Sequence, residues 1–452
     1  MRTTLFVISD LHLGGEPGID GKPGFQMCSP ASVALLADFI DGLPAATPNA
    51  DVRLVLAGDI VDFLAEEPFK PFTVDVKEAN TKLSHILETT AQVWAALRRF
   101  VSERHAAVTL MLGNHDIELA LPATRPLLLE RIGPGRVDFI YDNEAFTFGR
   151  VLIEHGNRFD EWNAVPHGAL RRVRSQQSRS LPVTPDFPAL PGSRLVAEVM
   201  NPLKKQYAFV DLLKPEDAGA LPILAALGGV GIRDVWRFFQ RFRQTWSIDY
   251  DEDREPLSEE LIAGNIGDDQ KLFDIAEDIT GGGNATQVSA AGDFVVGKAL
   301  LKALASVVGK HRQAFDTSYE KPTYLVPAQR AARAGYQVIV YGHTHLAKRV
   351  PLGAVDQTLP VYLNTGTWAD LMRIPQSVWG KDEGRSQTDL EAFVADLQRN
   401  DLRRWRRAVP TFARIELEGE SVLSADLLFA SDGERVTTEA LADRLVGSDE
   451  RG

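Results

Sequence analysis

Five short apolar runs in this chain end in the same way, and nothing else in it limits the possible folds so tightly. Leu5-Phe6-Val7-Ile8 runs into Ser9-Asp10-Leu11-His12, and residues 52–57 run into Gly58-Asp59. Residues 107–112 deliver Gly113-Asn114-His115-Asp116, residues 150–154 deliver His155-Gly156, and residues 337–341 deliver Gly342-His343-Thr344-His345. Each run is rich in leucine or β-branched residues and too short for an ordinary helix, so each reads as a buried strand. Most hand over at a small residue, and every one delivers side chains that carry protons or bind metals. An α/β sheet with its active groups at the carboxyl ends of its strands has this grammar. Read as extended chain, Asp10 and His12 share one face while Leu11 and Leu13 take the other, which presents half of a metal site.

Between and after these runs, helical spacing predicts helices over residues 31–40 and 79–103, and further strands are expected at 137–141 and 145–148. Short strands return at 349–352, 359–364, 411–417 and 421–429, which suits an antiparallel completion of the core. The gap from His155-Gly156 to Gly342-His343 spans about 180 residues, far beyond an ordinary loop. It opens with the basic stretch 171–179, passes through the proline-rich 181–191, and shows helical patterns at 194–213, 230–246, 268–279 and 293–308. The expected organisation is therefore a core in two parts, residues 1–160 and 321–430, a mainly helical cap inserted over 161–320, and a polar peripheral tail over 431–452. A length of 452 residues agrees with one domain enlarged by an insertion, or with two.

Composition excludes several classes. Hydrophobic residues make up 44% and charged residues 25%, which argues against disorder and collagen-like repeats. No apolar run is long enough to span a bilayer, and the apolar start of the chain leads straight into Asp10 without a signal-peptide pattern. Cys28 is the single cysteine, so no internal disulfide can form and a reducing, cytoplasmic location is expected. A net charge of -13 disfavours nucleic acid as the main partner, because nucleic-acid binders carry a basic footprint.

Together the strand ends offer Asp10, His12, Asp59, Asn114, His155, His343 and His345. This set of oxygen donors and imidazoles, without a thiolate, suits divalent manganese, iron or zinc. Seven donors exceed one tetrahedral centre but serve two ions if one carboxylate is shared. Two ions roughly 3.5–4 Å apart can activate a water and neutralise a phosphoryl group in the same reaction.

The ordered blocks Asp10-x-His12, Gly58-Asp59-x-x-Asp62, Gly113-Asn114-His115-Asp116, His155-Gly156 and Gly342-His343-x-His345 resemble those of the calcineurin-like metallophosphoesterase superfamily. The resemblance covers the core and not the cap. It implies a four-layer α/β/β/α sandwich of two mixed sheets around a dinuclear centre, manganese being the first expectation and iron or zinc the alternatives. One ion would take Asp10, His12 and His345, the other Asn114, His155 and His343, with Asp59 bridging. It further implies that His115 faces the substrate as a catalytic group while Asp116 orients it, and that a metal-bridging hydroxide attacks phosphorus. The continuation Asp62-Phe63-Leu64 and the pair His115-Asp116 differ from the phosphoprotein phosphatases of this superfamily, which argues against a protein substrate.

Other residues carry two readings each. Asp62 can serve catalysis directly, hold a loop, or support a ligating histidine. Arg158 can meet substrate phosphate or pair with Asp160 or Glu161. Gly366, in Asn364-Thr365-Gly366-Thr367-Trp368, can admit a close backbone approach or simply turn the chain. His85, His105, His167 and His311 belong to no block and read as satisfied or surface histidines. The basic stretch 171–179 reads as a solvated helix face or a contact for substrate phosphate. Trp236, Phe238, Phe239, Phe242 and Trp246, interleaved with arginines, read as packing, either internal or in a homo-oligomer through the cap, or as a surface for an amphiphilic phosphoester. The expected function is hydrolysis of a small phosphomonoester, phosphodiester or pyrophosphate. The alternatives are a non-catalytic binding scaffold on the same fold and a nuclease.

Overall fold

The first strand, β1 (Arg2–Ile8), divides its side chains between two cores, and the whole architecture follows from that division. Leu5 and Val7 enter one apolar cluster and Phe6 and Ile8 the other, as the two-residue period of a strand requires. A computed structural model describes residues 2–16, 24–47, 50–104, 106–205, 207–214, 312–355, 358–379 and 383–446. Within these, β1, β2 (Asp51–Ala57), β3 (Ala107–Met111) and β4 (Arg136–Ile140) run parallel. They join β10 (Thr411–Glu418) and β11 (Ser421–Phe429), both added antiparallel, in the order β11-β10-β1-β2-β3-β4. The second sheet orders β5 (Phe146–Phe148), β6 (Val151–Ile153), β7 (Val338–Tyr341), β9 (Val361–Thr365) and β8 (Ala347–Pro351) as β5-β6-β7-β9-β8. Its three inner strands are parallel and its two edges antiparallel.

Four layers result. Leu5, Val7, Val55 and Met111 of the first sheet meet Val151, Ile153, Val340 and Leu363 of the second in one shared core. On the far face of the first sheet, Phe6, Leu54 and Leu110 pack against four helices: α1 (Pro30–Ala46), α2 (Val76–Thr89), α3 (Ala91–Ser102) and α4 (Arg125–Ile132). On the far face of the second, Ile339, Tyr341 and Tyr362 pack against Tyr324, Ala328 and Ala332 of the helix Pro322–Arg333. The molecule is thus an α/β sandwich of two mixed sheets, the α/β class that the strand pattern predicts and the layering that the family resemblance implies. Strands buried on both faces explain why their sequences are continuous apolar runs rather than alternating ones.

Three expected segments take another form in the structure. The helix expected over 79–103 is two, because Thr90 leaves helical geometry (φ -113°, ψ 28°). Its hydroxyl donates to the Ile86 carbonyl (2.6 Å) and accepts from the indole N–H of buried Trp94 (2.8 Å), which holds the break. The chain after Pro191 is helical to Lys204, with one wider turn at Val196–Met200, and then turns rather than continuing to residue 213. The tail beyond residue 431 is not peripheral throughout. Its helix Thr438–Leu445 buries Leu441 and Leu445 in the inter-sheet core.

Of the inserted region, α5 (His167–Gln177) settles Leu170 and Val173 against the core. The basic stretch is therefore an amphipathic helix whose Arg174 reaches back to the Tyr141 carbonyl (2.9 Å) and ring. The helices expected at 230–246, 268–279 and 293–308, the aromatic group 236–246, His105 and His311 lie outside the described residues. Among the described residues, no helix is long and apolar enough to cross a membrane.

Candidate metal centre

The strand ends converge through backbone turns, not through extended chain. Asp10 (φ 54°), His12 (φ 44°), Asp59 (φ 48°), His343 (φ 71°) and His345 (φ 61°) all occupy the left-handed region, so five of the seven expected ligands do. The face-sharing expected of Asp10 and His12 is corrected accordingly: β1 ends at Ile8, and the two side chains converge because each lies in a tight turn. Such a conformation costs on the order of 1–3 kcal/mol for a non-glycine residue and persists only where its surroundings enforce it. Here the enforcement is visible. The amides of Asp10, Leu11 and His12 donate to the carbonyls of Gly58 and Asp59 at 2.9–3.1 Å. The amide of His343 donates to both carboxylate oxygens of Asp10 (3.0 and 2.9 Å). Glycine makes this closeness possible: a Cβ on Gly113 would lie 2.0 Å from Asp59 Oδ1, and one on Gly342 would lie 2.3 Å from Ser9 Oγ.

Two groups of metal-capable side chains emerge side by side. Asp10, His12 and His345 form one and Asp59, His155 and His343 the other, each with donor atoms within 4.8 Å of one another. Asp59 lies between them, its Oδ2 3.2 Å from His155 Nε2 and 3.9 Å from His12 Nε2. All but His343 are buried, and the His343 side chain is only 8% exposed. Several donors have no hydrogen-bond partner despite burial: Asn114 Oδ1, His155 Nε2 and His345 Nδ1. In the first group, His12 Nε2 faces His345 Nε2 at 2.9 Å, and His345 Nε2 lies 3.4 Å from Asp10 Oδ1. Buried polar atoms left without a partner, as Asn114 Oδ1 is, are costly unless a cation or water meets them. These side chains fit a divalent ion, and the buried groups can hold metal.

His115 stands at the edge of this cluster, its side chain 17% exposed and its ring edge-on to His12 at 4.7 Å. Its backbone N–H donates to Asp59 Oδ1 (2.8 Å). The carboxylate that orients its ring is Asp62, whose Oδ1 lies 3.1 Å from His115 Nδ1, while Asp62 Oδ2 lies 3.3 Å from His12 Nδ1. Asp62 thus supports both imidazoles, which explains the further group His12, Asp62 and His115. The expected Asp116 plays another part. It is fully buried and accepts from the amides of Ile60 and Gly113 (both 2.7 Å), tying the loops after β2 and β3 together. The role that the resemblance implies for Asp116 is thus filled by Asp62, because the residue next to His115 points toward the backbone amides of Ile60 and Gly113.

Charge follows geometry. Burial opposes ionisation of Asp59, but His155 and then His115 hold its carboxyl far below the usual range. Burial likewise opposes protonation of His155 and His115, but neighbouring carboxylates prevail. Asp59 and Asp10 carry His155 to about 10, and Asp62 and Asp59 carry His115 to about 9. His345 behaves oppositely, pushed well down by burial and then by the charge of Lys214. Burial, then the charge of Asp59, lifts Asp116 to about 7.

Around the centre stand residues that the sequence reading left open or missed. Thr367 Oγ1 and the Trp368 amide donate to the Asp10 carbonyl (2.7 and 3.1 Å), and Ser9 bonds both Thr365 and the Asp10 carboxylate. Gly366 does both things considered for it, with φ 68° and Thr411 Oγ1 2.7 Å from where a Cβ would lie. Asn364 donates to the Gly342 carbonyl (2.7 Å) and Thr344 Oγ1 (3.0 Å), bracing the turn that carries His343 and His345. Arg158 pairs with Glu154 (3.3 Å), four residues back, rather than with Asp160 or Glu161. His85 is satisfied by Glu66 at 2.7 Å, as expected of a histidine outside the blocks. Asp160 Oδ2, in contrast, lies 3.0 Å from His343 Nε2. The one sequence signal for that contact was the polar richness of the run from Asn157 to Asn163.

The fold and the site define a class, an α/β sandwich with a buried histidine–carboxylate centre at the strand ends. Compared with known proteins, the chain matches no family model and no curated relative.

Proposed function

We propose that this chain is a metal-dependent phosphoric ester hydrolase, of the calcineurin-like metallophosphoesterase kind, that works with two divalent ions. The observation that carries the reading is the pair of adjoining buried groups, one of which contains Asp59, with Asn114 Oδ1 and His155 Nε2 left without a hydrogen-bond partner. Asp10, His12 and His345 would hold one ion, Asn114, His155 and His343 the other, and Asp59 both. Manganese is the first choice and iron or zinc the alternative, since oxygen and imidazole donors without thiolate accept all three. Bound ions supply Lewis acidity toward a phosphoryl group and toward water.

The remaining chemistry belongs to the chain. Asp62 holds His115 through Nδ1, so a protonated His115 directs its other N–H away from the carboxylate and toward a leaving oxygen. Placed in a hydrogen-bonded pair with Asp62, that ring keeps its proton at neutral pH and can give it to the departing alkoxide or phosphate. Asp116 and the backbone bonds around Asp59 keep the loops from shifting as charge develops. The substrate class comprises small phosphomonoesters, phosphodiesters and pyrophosphates.

The test is a manganese-reconstituted assay with an aryl phosphate, an aryl phosphodiester and a nucleoside diphosphate conjugate. Wild type should hydrolyse at least one of them. Asp59→Asn, which keeps the shape and the acceptor for the His115 amide, should lose that activity while its circular dichroism stays unchanged. Undiminished turnover in Asp59→Asn would sink the proposal, and fewer than one bound ion per reconstituted wild-type chain would favour a scaffold without catalysis.

A further inference from the structure

The turn after β6 and its short 3-10 segment Asn157–Phe159 touches two of the proposed ligands from outside. Asp160 Oδ2 lies 3.0 Å from His343 Nε2 and also accepts from Asn163 Nδ2 (2.8 Å). Asn163 Oδ1 in turn accepts from Asn114 Nδ2 (3.3 Å). One hydrogen-bonded chain therefore links His343, Asp160, Asn163 and Asn114.

Each contact sets the direction of a ligand. A carboxylate at Nε2 fixes the proton on that nitrogen, so the lone pair of neutral His343 is on Nδ1. An acceptor at Asn114 Nδ2 fixes which way its amide faces, and the amide oxygen left over is the buried Oδ1 without a partner. The chain itself is held firmly. Asp160 Oδ1 accepts from the Trp162 amide (3.0 Å), Asn157 Nδ2 donates to the Asn163 carbonyl (2.8 Å), and the Gly192 amide donates to the Trp162 carbonyl (2.8 Å). A Cβ on Gly192 would clash with Asn163 Oδ1, so the first turn of the helix that begins at Pro191 is pressed directly against this amide.

We infer that Asp160 and Asn163, which straddle the junction where the core gives way to the insertion, are positioning residues that pre-orient His343 and Asn114 for one of the two ions and leave the other ion's ligands untouched. This rests on the proposed dinuclear site and deepens it: the insertion helps to build the metal centre as well as to flank it. Outer partners of metal ligands change affinity by about 10–100-fold when removed.

The experiment is a Mn2+ titration of the metal-depleted full-length protein, with unbound ion read by its electron paramagnetic resonance signal. Wild type should bind two ions. Asp160→Ala and Asn163→Ala should each keep one site at wild-type affinity and weaken the other by about 10–100-fold. Asp160→Asn retains an oxygen to accept from His343 and should recover part of what the alanine variant loses. His343→Ala, removing a ligand outright, marks which site is affected. Two wild-type sites that remain unchanged in both alanine variants would overturn the inference while leaving the metal site standing. Equal weakening of both sites, or no recovery in Asp160→Asn, would also overturn it, as a general structural effect. A wild type that binds no ion would overturn the metal site itself.

Discussion

Asp62 shows how little sequence distance says about partnership between side chains. It lies fifty-odd positions from both His12 and His115 yet supports both rings, whereas Asp116, next to His115, bonds only backbone amides. The difference has a consequence in pH. The folded pKa of His115 is raised to about 9, above its ordinary value, because Asp62 and Asp59 outweigh burial. Its contribution to stability is therefore complete below about pH 6.5 and is lost as pH rises through 9. Asp62 is depressed, so its contribution holds above the usual carboxylate range and is lost in acid. Metal-free protein should accordingly lose stability between pH 6.5 and 9, in urea unfolding at pH 5, 7 and 9. His115→Gln should make that decline shallower, though His155, also raised by Asp59, keeps part of it. An identical slope in the variant would contradict the pairing.

At the scale of elements, strand pairing and helix docking are driven by apolar faces, and the functional turns hang on what those faces fix. The helix Thr438–Leu445 illustrates the rule within a tail whose polar composition conceals it. Leu441 and Leu445 recur at the four-residue spacing of one helical face and fill the shared core of the sheets. Thr437 caps the helix by accepting from the Ala440 amide (3.1 Å). Leu441→Ala should therefore cost about 2–5 kcal/mol in denaturant unfolding, against about 1 kcal/mol for Thr437→Ala. Near-zero cost for the leucine would mean that the helix is dispensable to the core.

For the whole molecule, the two sheets bring their strand ends to one place. His155, after β6, contacts the Ala57 carbonyl of β2 (2.8 Å), and the His343 amide, after β7, contacts Asp10 beyond β1. The centre thus depends on both sheets, and an ion bound there would hold them together. Binding to the folded state alone raises stability in proportion to the logarithm of ligand concentration, by about 2.7 kcal/mol at a hundred times Kd. Metal-depleted protein should melt at lower temperature than reconstituted protein, and its Tm should climb steadily with added Mn2+ before levelling. A Tm indifferent to Mn2+ and to chelator would count against an ion between the sheets.

The sequence by itself determined the strands, their buried character and the residue types at their ends. Continuous apolar runs have few other uses in a chain of this composition, and a histidine or aspartate directly after such a run cannot lie far from the strand's end. It also showed that the region between His155 and His343 interrupts the core, because that interval is too long for a loop. What only the tertiary structure decided is direction. Left-handed turns at Asp10, His12, Asp59, His343 and His345 aim the ligands; aspartate and histidine adopt that conformation more readily than most residues, but here hydrogen bonds from distant segments impose it. The helix break at Thr90 required Trp94 to be buried beside it, and the choice of Asp62 over Asp116 required the β2 and β3 loops to lie side by side. The same holds for Asp160 and Asn163: Asp160 meets His343 because β6 and β7 pair side by side in one sheet, and Asn163 meets Asn114 because the other sheet brings the end of β3 alongside.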